Sequence, residues 1–240
     1  DDSLAAFEML MQQRRDLADG RWSTLAGQVT AYRTRLIDLG KQYEPQFAFT
    51  KMGWTGEATL NVRYFDAFYG LTHNDAARVA TQFNVVAAPL KQWRFQTDKD
   101  KQGEAAGWSK PEFDDSAWKT TDCVVDTWSS LGLHNYMGSA WYRMKLKVPP
   151  LAAGKKTFLW IGSTDGRVKV FVNGQHVPHI NEKGEKADSV SGYCQPFSFD
   201  ISLAMKPDAD NSIALFCTRE IVNELGTGGL LAPAAVYAER

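Results

Sequence analysis

The sequence predicts a mainly β protein, an antiparallel β-sandwich of the jelly-roll type preceded by an α-helical N-terminal segment. Beyond about residue 90, short strand-like segments alternate with turns and no helical pattern separates them, which is typical of such a sandwich. Before residue 90, apolar residues recur at helical spacing. With 240 residues, of which 44% are hydrophobic, the chain can form one large β domain or two smaller units. We expect a helical segment with a mixed connection over 1–86 and the sandwich over 87–240.

The helical segment is predicted from apolar residues that alternate at steps of three and four and end at Gly40. This helix stripe consists of Trp22, Leu25, Val29, Tyr32, Leu36 and Leu39. Residues 4–17 form a second helical stretch, and Asp19-Gly20 is a potential break, so the segment is either a helical hairpin or one long helix. Apolar stripes exist mainly to be buried, so packing is the expected role of this one.

The region from Glu44 to Leu90 carries a mixed pattern. Residues 58–69 are aromatic and partly alternating, which favours a strand, whereas residues 74–83 resemble a short helix capped by Asn74. Pro89 then marks the boundary beyond which helical periodicity stops.

The sandwich is predicted from six short segments with strand character. They are Trp141 to Val148, Thr157 to Ile161, Arg167 to Val172, Phe197 to Ile201, Ser212 to Thr218 and Ala234 to Ala238. Asn173-Gly174 follows one of them directly. Because a type I′ turn needs positive φ at both central residues, this dipeptide predicts a β-hairpin, and folding that hairpin is its expected duty.

Charge and cysteine content limit the classes of partner and compartment. The formal net charge is −1, without the basic surface expected of a protein that binds nucleic acid. No apolar run is long enough to span a bilayer, so neither nucleic acid nor a membrane is an expected partner. The first residues lack the positive region of a signal peptide, although a signal could have been removed. The three cysteines are too few for a disulfide scaffold, and a Cys194 to Cys217 bridge is the alternative for an oxidising compartment.

A series of short motifs, in order along the chain, resembles the sugar-binding jelly roll of glycoside hydrolase family 2, which has the galactose-binding-domain-like fold. The motifs are Trp93-Arg94-Phe95, Gly107-Trp108, the run from Phe113 to Trp118, the run from Gly138 to Arg143, Asp165, the run from Val170 to Gly174, Phe199-Asp200-Ile201, the run from Asn211 to Ala214, and Gly228-Gly229-Leu230. Each motif is weak alone, but their order over about 150 residues is specific, and the N-terminal third lies outside the resemblance.

The resemblance implies a non-catalytic sandwich that binds glycans through loops at one end or braces a neighbouring domain. It also implies a secreted or periplasmic protein that processes polysaccharides. Family members usually place the sandwich beside a catalytic barrel, which alone needs about 250 residues, so this chain has no barrel of its own. Relatives often carry a structural calcium, held largely by backbone oxygens, and the sequence does not assign its ligands.

Three loops offer side chains that suit a sugar, because flat rings stack on its C–H face while amide, carboxylate and guanidinium groups bond its hydroxyls. The candidate ligand contacts are Trp128, His134, Tyr136, Tyr193, Arg219, Asn223 and Glu224. Each has a structural alternative: the aromatic residues can belong to the rim of the core, and Arg219 can pair with Glu224. Asp165, which precedes Gly166 in a tight turn, is expected to hold backbone.

The sequence predicts no catalytic residues and no metal centre. The run from Gly162 to Gly166 does not match a nucleophile elbow, and no phosphate loop is present. His176 and His179 flank Pro178, which prevents a regular helix from presenting both rings to one ion. The first hypothesis is therefore a carbohydrate-binding module of a polysaccharide-processing protein. There are two alternatives. One is a domain that braces a catalytic or partner domain without binding sugar, and the other is a hydrolase of glycosides or glycan esters.

Overall fold

The computed structural model describes residues 2–43, 56–151, 154–220 and 228–240. The chain divides into two compact units, Asp1–Gln82 and Phe83–Arg240. The first unit is helical and the second is built from antiparallel strands, which confirms the predicted fold class.

The N-terminal unit contains three helices, α1 (Asp2–Ala18), α2 (Trp22–Tyr43) and α3 (Gly56–Gln82). The first two are separate helices because the chain breaks at Gly20, whose φ is +78°. The predicted stripe on α2 is buried: Leu25 and Leu39 have no exposed surface. Tyr32 and Leu39 pack with Ala6 and Leu10 of α1, so the stripe serves the core of its own unit.

The strand expected over 58–69 is wrong, and so is the separate helix starting at Asn74. Both segments belong to α3, a single helix of 27 residues. The aromatic alternation suggested period two, yet the stretch contains no Pro, and its one interior glycine, Gly70, does not end the helix. Asn74 therefore lies within the helix and caps nothing.

The C-terminal unit contains fifteen strands among the described residues, several of only two residues. They are β1 (Asn84–Leu90), β2 (Gln92–Thr97), β3 (Lys119–Asp122), β4 (Gly138–Lys147), β5 (Thr157–Ile161), β6 (Thr164–Asp165), β7 (Arg167–Val172), β8 (Gln175–Val177), β9 (His179–Ile180), β10 (Lys186–Ala187), β11 (Val190–Ser191), β12 (Phe197–Asp200), β13 (Asp210–Arg219), β14 (Gly229–Leu230) and β15 (Ala234–Ala238).

Two main antiparallel sheets form the sandwich. One has the order β1-β15-β5-β12, and the other has the order β11-β7-β13-β4-β2-β3, with β8 also paired to β7. Pro89, expected to end a helical region, instead lies within β1 at the edge of the smaller sheet, where a missing N–H is tolerated.

Alternation along the strands of the larger sheet decides which face each side chain covers. On β7, Val168, Val170 and Val172 enter the core between the sheets. Phe171 points to the opposite face, where it packs with Trp141 in a second aromatic cluster. Both faces of this sheet are therefore covered, one by the smaller sheet and the other by side chains of residues 108–118.

Arg143 fastens this covering segment to the sheet. Its side chain is only 1% exposed, and its Nε donates to Oδ2 of Asp115 at 2.8 Å. Its two terminal nitrogens donate to main-chain carbonyls of the same segment, including that of Lys110 at 3.1 Å. Asp115, in the motif from Phe113 to Trp118, thus holds a buried guanidinium in place, and this motif has a structural purpose.

Candidate functional site

Several connections meet at the end of the sandwich where β5 and β13 finish and β4 and β7 begin. We call this region the loop end and define it as residues 128–137, 162–166, 192–196, 219–220 and 228–229. Five of the seven candidate ligand residues, those from Trp128 to Arg219, lie in it. Asn223 and Glu224 lie outside the described residues.

A buried ion pair lies at the centre of the loop end. Nε of Arg219 is 3.6 Å from Oδ2 of Asp165, and the two side chains are 10% and 0% exposed. Oδ2 of Asp165 also accepts a hydrogen bond from the backbone N–H of Gly228 at 2.5 Å. Among the described residues, Oδ1 of Asp165 has no hydrogen-bond partner. The aspartate therefore holds backbone, as expected, and keeps one acceptor oxygen unused.

Trp128 packs against Gly228, the residue whose N–H bonds the Asp165 carboxylate. Its ring has no exposed surface, and its Nε1 donates to the hydroxyl of Tyr142 at 2.9 Å. A Cβ at Gly228 would lie 2.1 Å from the indole, so only glycine fits there. In this structure the Trp128 ring has no exposed face on which a sugar could stack.

Tyr136 and His134 occupy the same loop with different exposure. The Tyr136 ring lies 5.4 Å from that of Trp128, edge to face, and its hydroxyl donates to the carbonyl of Ser139 at 3.0 Å. Tyr136 is nevertheless only half-buried, and His134 is exposed. Both residues therefore present some surface to a ligand, His134 more than Tyr136.

Tyr193 belongs to a turn that is bonded to the Asp165 turn. The N–H of Cys194 donates to Oγ of Ser163 at 2.8 Å, and that hydroxyl donates to the carbonyl of Gly192 at 3.2 Å. Tyr193 itself is half-buried. The arrangement fixes its backbone beside the ion pair.

The ion pair of Asp165 and Arg219 is not evident from the sequence. The two residues are 54 positions apart, and only the pairing of β13 with β7 brings them together. The alternation of β13 could have indicated that Arg219 lies on the same face as Cys217, which is buried in the core. Glu220, its neighbour, forms an ion pair with Lys101 instead.

A cavity of about 750 Å³ lies at the opposite end of the sandwich, where β7 and β12 finish and β5 and β13 begin. We call it the hairpin cavity, because the Asn173-Gly174 hairpin supplies one wall through Gln175, His176 and Val177. Both turn residues have positive φ, +52° and +78°, as a type I′ turn requires. The hairpin was predictable from its sequence, whereas the cavity was not.

The hairpin cavity combines an apolar lining with charged side chains. Lys156 lies 3.2 Å from Asp200. Burial opposes ionisation of Asp200, but hydrogen bonds from Ser202 and the ammonium of Lys156 outweigh it and lower the pKa of this carboxyl. Asp200 therefore stays ionised and neutralises Lys156.

The described residues contain no group of three or more histidine, cysteine or carboxylate side chains placed to hold a metal ion. His176 contacts the carbonyl of Asp188 through Nε2 at 3.0 Å, whereas the ring of His179 packs against Phe197 and Phe199. No helix in the described part of the chain has the length and apolar character needed to cross a membrane.

Residues 103–219 match the protein family described as the second all-β domain of β-galactosidases. A β-glucuronidase from Paenibacillus borealis is 27% identical over 145 residues, which cover 60% of this chain and 22% of the relative. A β-glucuronidase from Formosa agariphila is 28% identical over 150 residues, which cover 58% of this chain and 13% of the relative. The C-terminal unit is thus similar to the accessory all-β domains of glycoside hydrolase family 2 enzymes, which confirms the resemblance to that enzyme family.

Solved structures of β-glucuronidases also superpose on this chain. That from Bacteroides uniformis gives a TM-score of 0.47 with 19% identity over 65% of this chain and 18% of the other. That from Ruminococcus gnavus gives 0.48 with 21% identity over 63% of this chain and 28% of the other. The chain spans less than a quarter of the length of the curated relatives that it matches.

Proposed function

We propose that the C-terminal unit is a carbohydrate-binding accessory module of a longer secreted or periplasmic glycoside hydrolase, and that it takes its ligand at the loop end. The buried pair of Asp165 and Arg219 carries the proposal. The pair holds the Gly228 backbone and the Arg219 side chain in place at the loop end; Asp165 itself has no exposed surface, whereas the Arg219 side chain is 10% exposed and carries N–H groups of the kind that bond sugar hydroxyls.

The accessible groups around that pair suit the same ligand. Tyr136 and Tyr193 are half-buried and His134 is exposed, all three in connections of the loop end, and rings of this kind stack on the C–H face of a sugar. Hydrolysis would come from another part of the longer protein, because the curated relatives are named β-glucuronidases and extend far beyond the matched region. A glucuronic acid glycoside is accordingly the proposed substrate class of the whole protein.

The second candidate is a domain that braces a catalytic or partner domain without binding sugar. The complete burial of Trp128 and the engagement of the Tyr136 hydroxyl with Ser139 favour it, because both groups already serve the fold. The helix stripe gives it no support, since that stripe is covered within its own unit.

A glycan array probed with the whole chain, with and without EDTA, tests the proposal and shows whether calcium matters. His134→Ala and Tyr193→Phe each alter one side chain of the loop end, and each is expected to weaken binding by about fivefold to tenfold; urea denaturation of both variants checks that the fold is retained. Lys119→Ala, on β3 and away from the loop end, is the matched control. Loss of signal in the two site variants alone would support the loop end as the binding site.

Two other results would count against the proposal. Equal binding by His134→Ala, Tyr193→Phe and the control would place the ligand elsewhere on the chain. A blank array with folded protein would favour the bracing role, and the search would then turn to the partner domain.

A further inference from the structure

The hairpin cavity has a lining that is largely apolar. Val177, Ala204 and Met205 form its buried part, and Leu203, which is 96% exposed, and Ile180, which is 46% exposed, stand at its edge. Large aliphatic side chains left in water are unfavourable, by about 25 cal/mol for each Å² of apolar surface. A volume of about 750 Å³ is in the range that binds small molecules, so an apolar body of that size can cover this surface.

The charge at the rim of the cavity is positive. Three lysines and one aspartate line it, and Lys156 is neutralised by Asp200. Lys155 and Lys186 are exposed, and neither forms an ion pair within the described part of the chain. Two ammonium groups are thus available beside the apolar lining, in a protein whose overall formal charge is −1.

The walls of the cavity are held in place before any ligand arrives. Nδ2 of Asn173 donates to the carbonyl of Ala204 at 2.8 Å, which ties the hairpin to the opposite wall. The contact of His176 with the carbonyl of Asp188 at 3.0 Å fixes the neighbouring side chain of the hairpin. A preformed cavity avoids the ordering cost that a mobile surface would incur on binding.

From this combination we propose that the hairpin cavity binds an amphiphilic anion, a small molecule with an apolar body and one carboxylate-type head group. The apolar body lies against Val177, Met205 and Leu203, and the head group lies between Lys155 and Lys186. The site is separate from the loop end, and the inference does not rest on the proposed binding of carbohydrate.

The proposal is tested by NMR titration of the whole chain with three probes: octanoate, 1-octanol and glucuronate. Octanoate has both parts of the proposed ligand, 1-octanol has only the apolar body, and glucuronate has the carboxylate on a polyhydroxylated ring. Octanoate is expected to bind about fivefold to tenfold more tightly than 1-octanol, with shift changes at the hairpin and at residues 200–207. Glucuronate is expected to bind at least tenfold more weakly than octanoate.

Two variants assign the parts of the site. The double variant Lys155→Gln with Lys186→Gln is expected to bind octanoate about fivefold to tenfold more weakly and to bind 1-octanol with unchanged affinity. Leu203→Ser is expected to weaken the binding of octanoate and of 1-octanol by about threefold each. Because Leu203 is exposed, this variant is expected to fold normally. Lys119→Gln with Lys183→Gln removes the same charge from exposed positions outside the cavity, and serves as the control.

Three results would overturn the proposal. Equal affinity for octanoate and 1-octanol would exclude recognition of the anion. If the two lysine double variants weakened octanoate binding equally, the effect would come from the overall charge of the protein and not from Lys155 and Lys186. Binding of glucuronate as tight as that of octanoate would make the cavity a site for acidic sugars.

Discussion

Nδ2 of Asn173 lies 2.8 Å from Oδ1 of Asn211 and joins the β7–β8 turn to the start of β13. Oδ1 of Asn173 in turn accepts the N–H of Ser212 at 3.0 Å. Asn211 bonds both polar groups of the Lys206 backbone, the N–H at 2.7 Å and the carbonyl at 2.9 Å. Two asparagine side chains thus hold the loop that lines the hairpin cavity, and the turn residue has a second task beyond its own conformation.

Substitution of Asn173 is expected to separate these two tasks. Asn173→Gly keeps the positive φ and removes three side-chain hydrogen bonds, so the free energy of unfolding should fall by about 2 to 3 kcal/mol. Asn173→Ala should lose about 1 kcal/mol more, because alanine adopts a φ of +52° with strain. Urea denaturation measures both values.

Asn135 provides the control for this comparison, since its φ is +55° and its side chain is exposed. Asn135→Gly should change the free energy of unfolding by less than about 0.5 kcal/mol. A similarly small effect of Asn173→Gly would show that the asparagine network contributes nothing to stability.

Arg143 is expected to be more sensitive to substitution than its partner Asp115. Arg143→Met leaves three carbonyls and a carboxylate without their donor, so a loss of about 3 to 5 kcal/mol is expected. Asp115→Asn keeps an acceptor oxygen at a side chain that is 19% exposed, and a loss of about 1 kcal/mol is expected. Equal losses in thermal or urea denaturation would mean that the ion pair, and not the carbonyl contacts, holds the segment.

Short apolar runs bounded by turns predicted β5 and β15, and alternation of apolar and polar residues predicted β7, each with its observed bounds. The first two strands are buried on nearly every side chain, whereas β7 begins with an exposed residue and alternates. The helix stripe was predictable because burial of one helix face imposes a period of 3.6. The part of α3 over residues 58–69 was not, because its aromatic pattern fits both periods and only tertiary contacts choose between them.

The candidate site depended on contacts that local patterns do not encode. Arg219 was recognised as a polar group in a loop, but its partner Asp165 comes from another strand and was explained by its own turn. The cavity beside Asn173 is formed by three separate stretches of chain, each ordinary alone. Sequence alone therefore gave the residues of the loop end without the ion pair that organises them.

All three cysteines are free thiols in the structure. They are expected to differ in reactivity because they differ in burial. The alternative of a Cys194 to Cys217 bridge is thus not realised, and Cys217 instead lies in the core, 1% exposed. Burial raises the pKa of Cys123 to about 12 and that of Cys217 still further, so neither forms a thiolate near neutrality. Burial also raises the pKa of Cys194, which is only half-buried.

Labelling with an aromatic disulfide reagent at pH 8 measures this difference. In native protein without reductant, Cys194 should react slowly, releasing about one equivalent of the reagent's aromatic thiol per chain. The Cys194→Ser variant should release none. Unfolded protein without reductant should release three equivalents of the aromatic thiol, one for each cysteine. A single equivalent from the unfolded chain would indicate that two cysteines are oxidised to a disulfide.

His73 makes the helical unit sensitive to acid. The imidazole is 1% exposed, and burial, aided by the charge of Arg14, lowers its pKa from 6.5 to about 4. The unfolded chain binds a proton below pH 6.5 while the folded chain binds it only below about 4, so protonation favours unfolding between these values. The stabilising contribution is complete above pH 6.5 and should fall by about 2 kcal/mol between pH 7 and pH 5.

Helix content followed by circular dichroism during urea denaturation reports on this unit, since the helices of the described chain lie within residues 2–82. His73→Met removes the titrating group at similar volume and should abolish most of the fall between pH 7 and 5. An unchanged fall in that variant would assign the acid sensitivity to other groups.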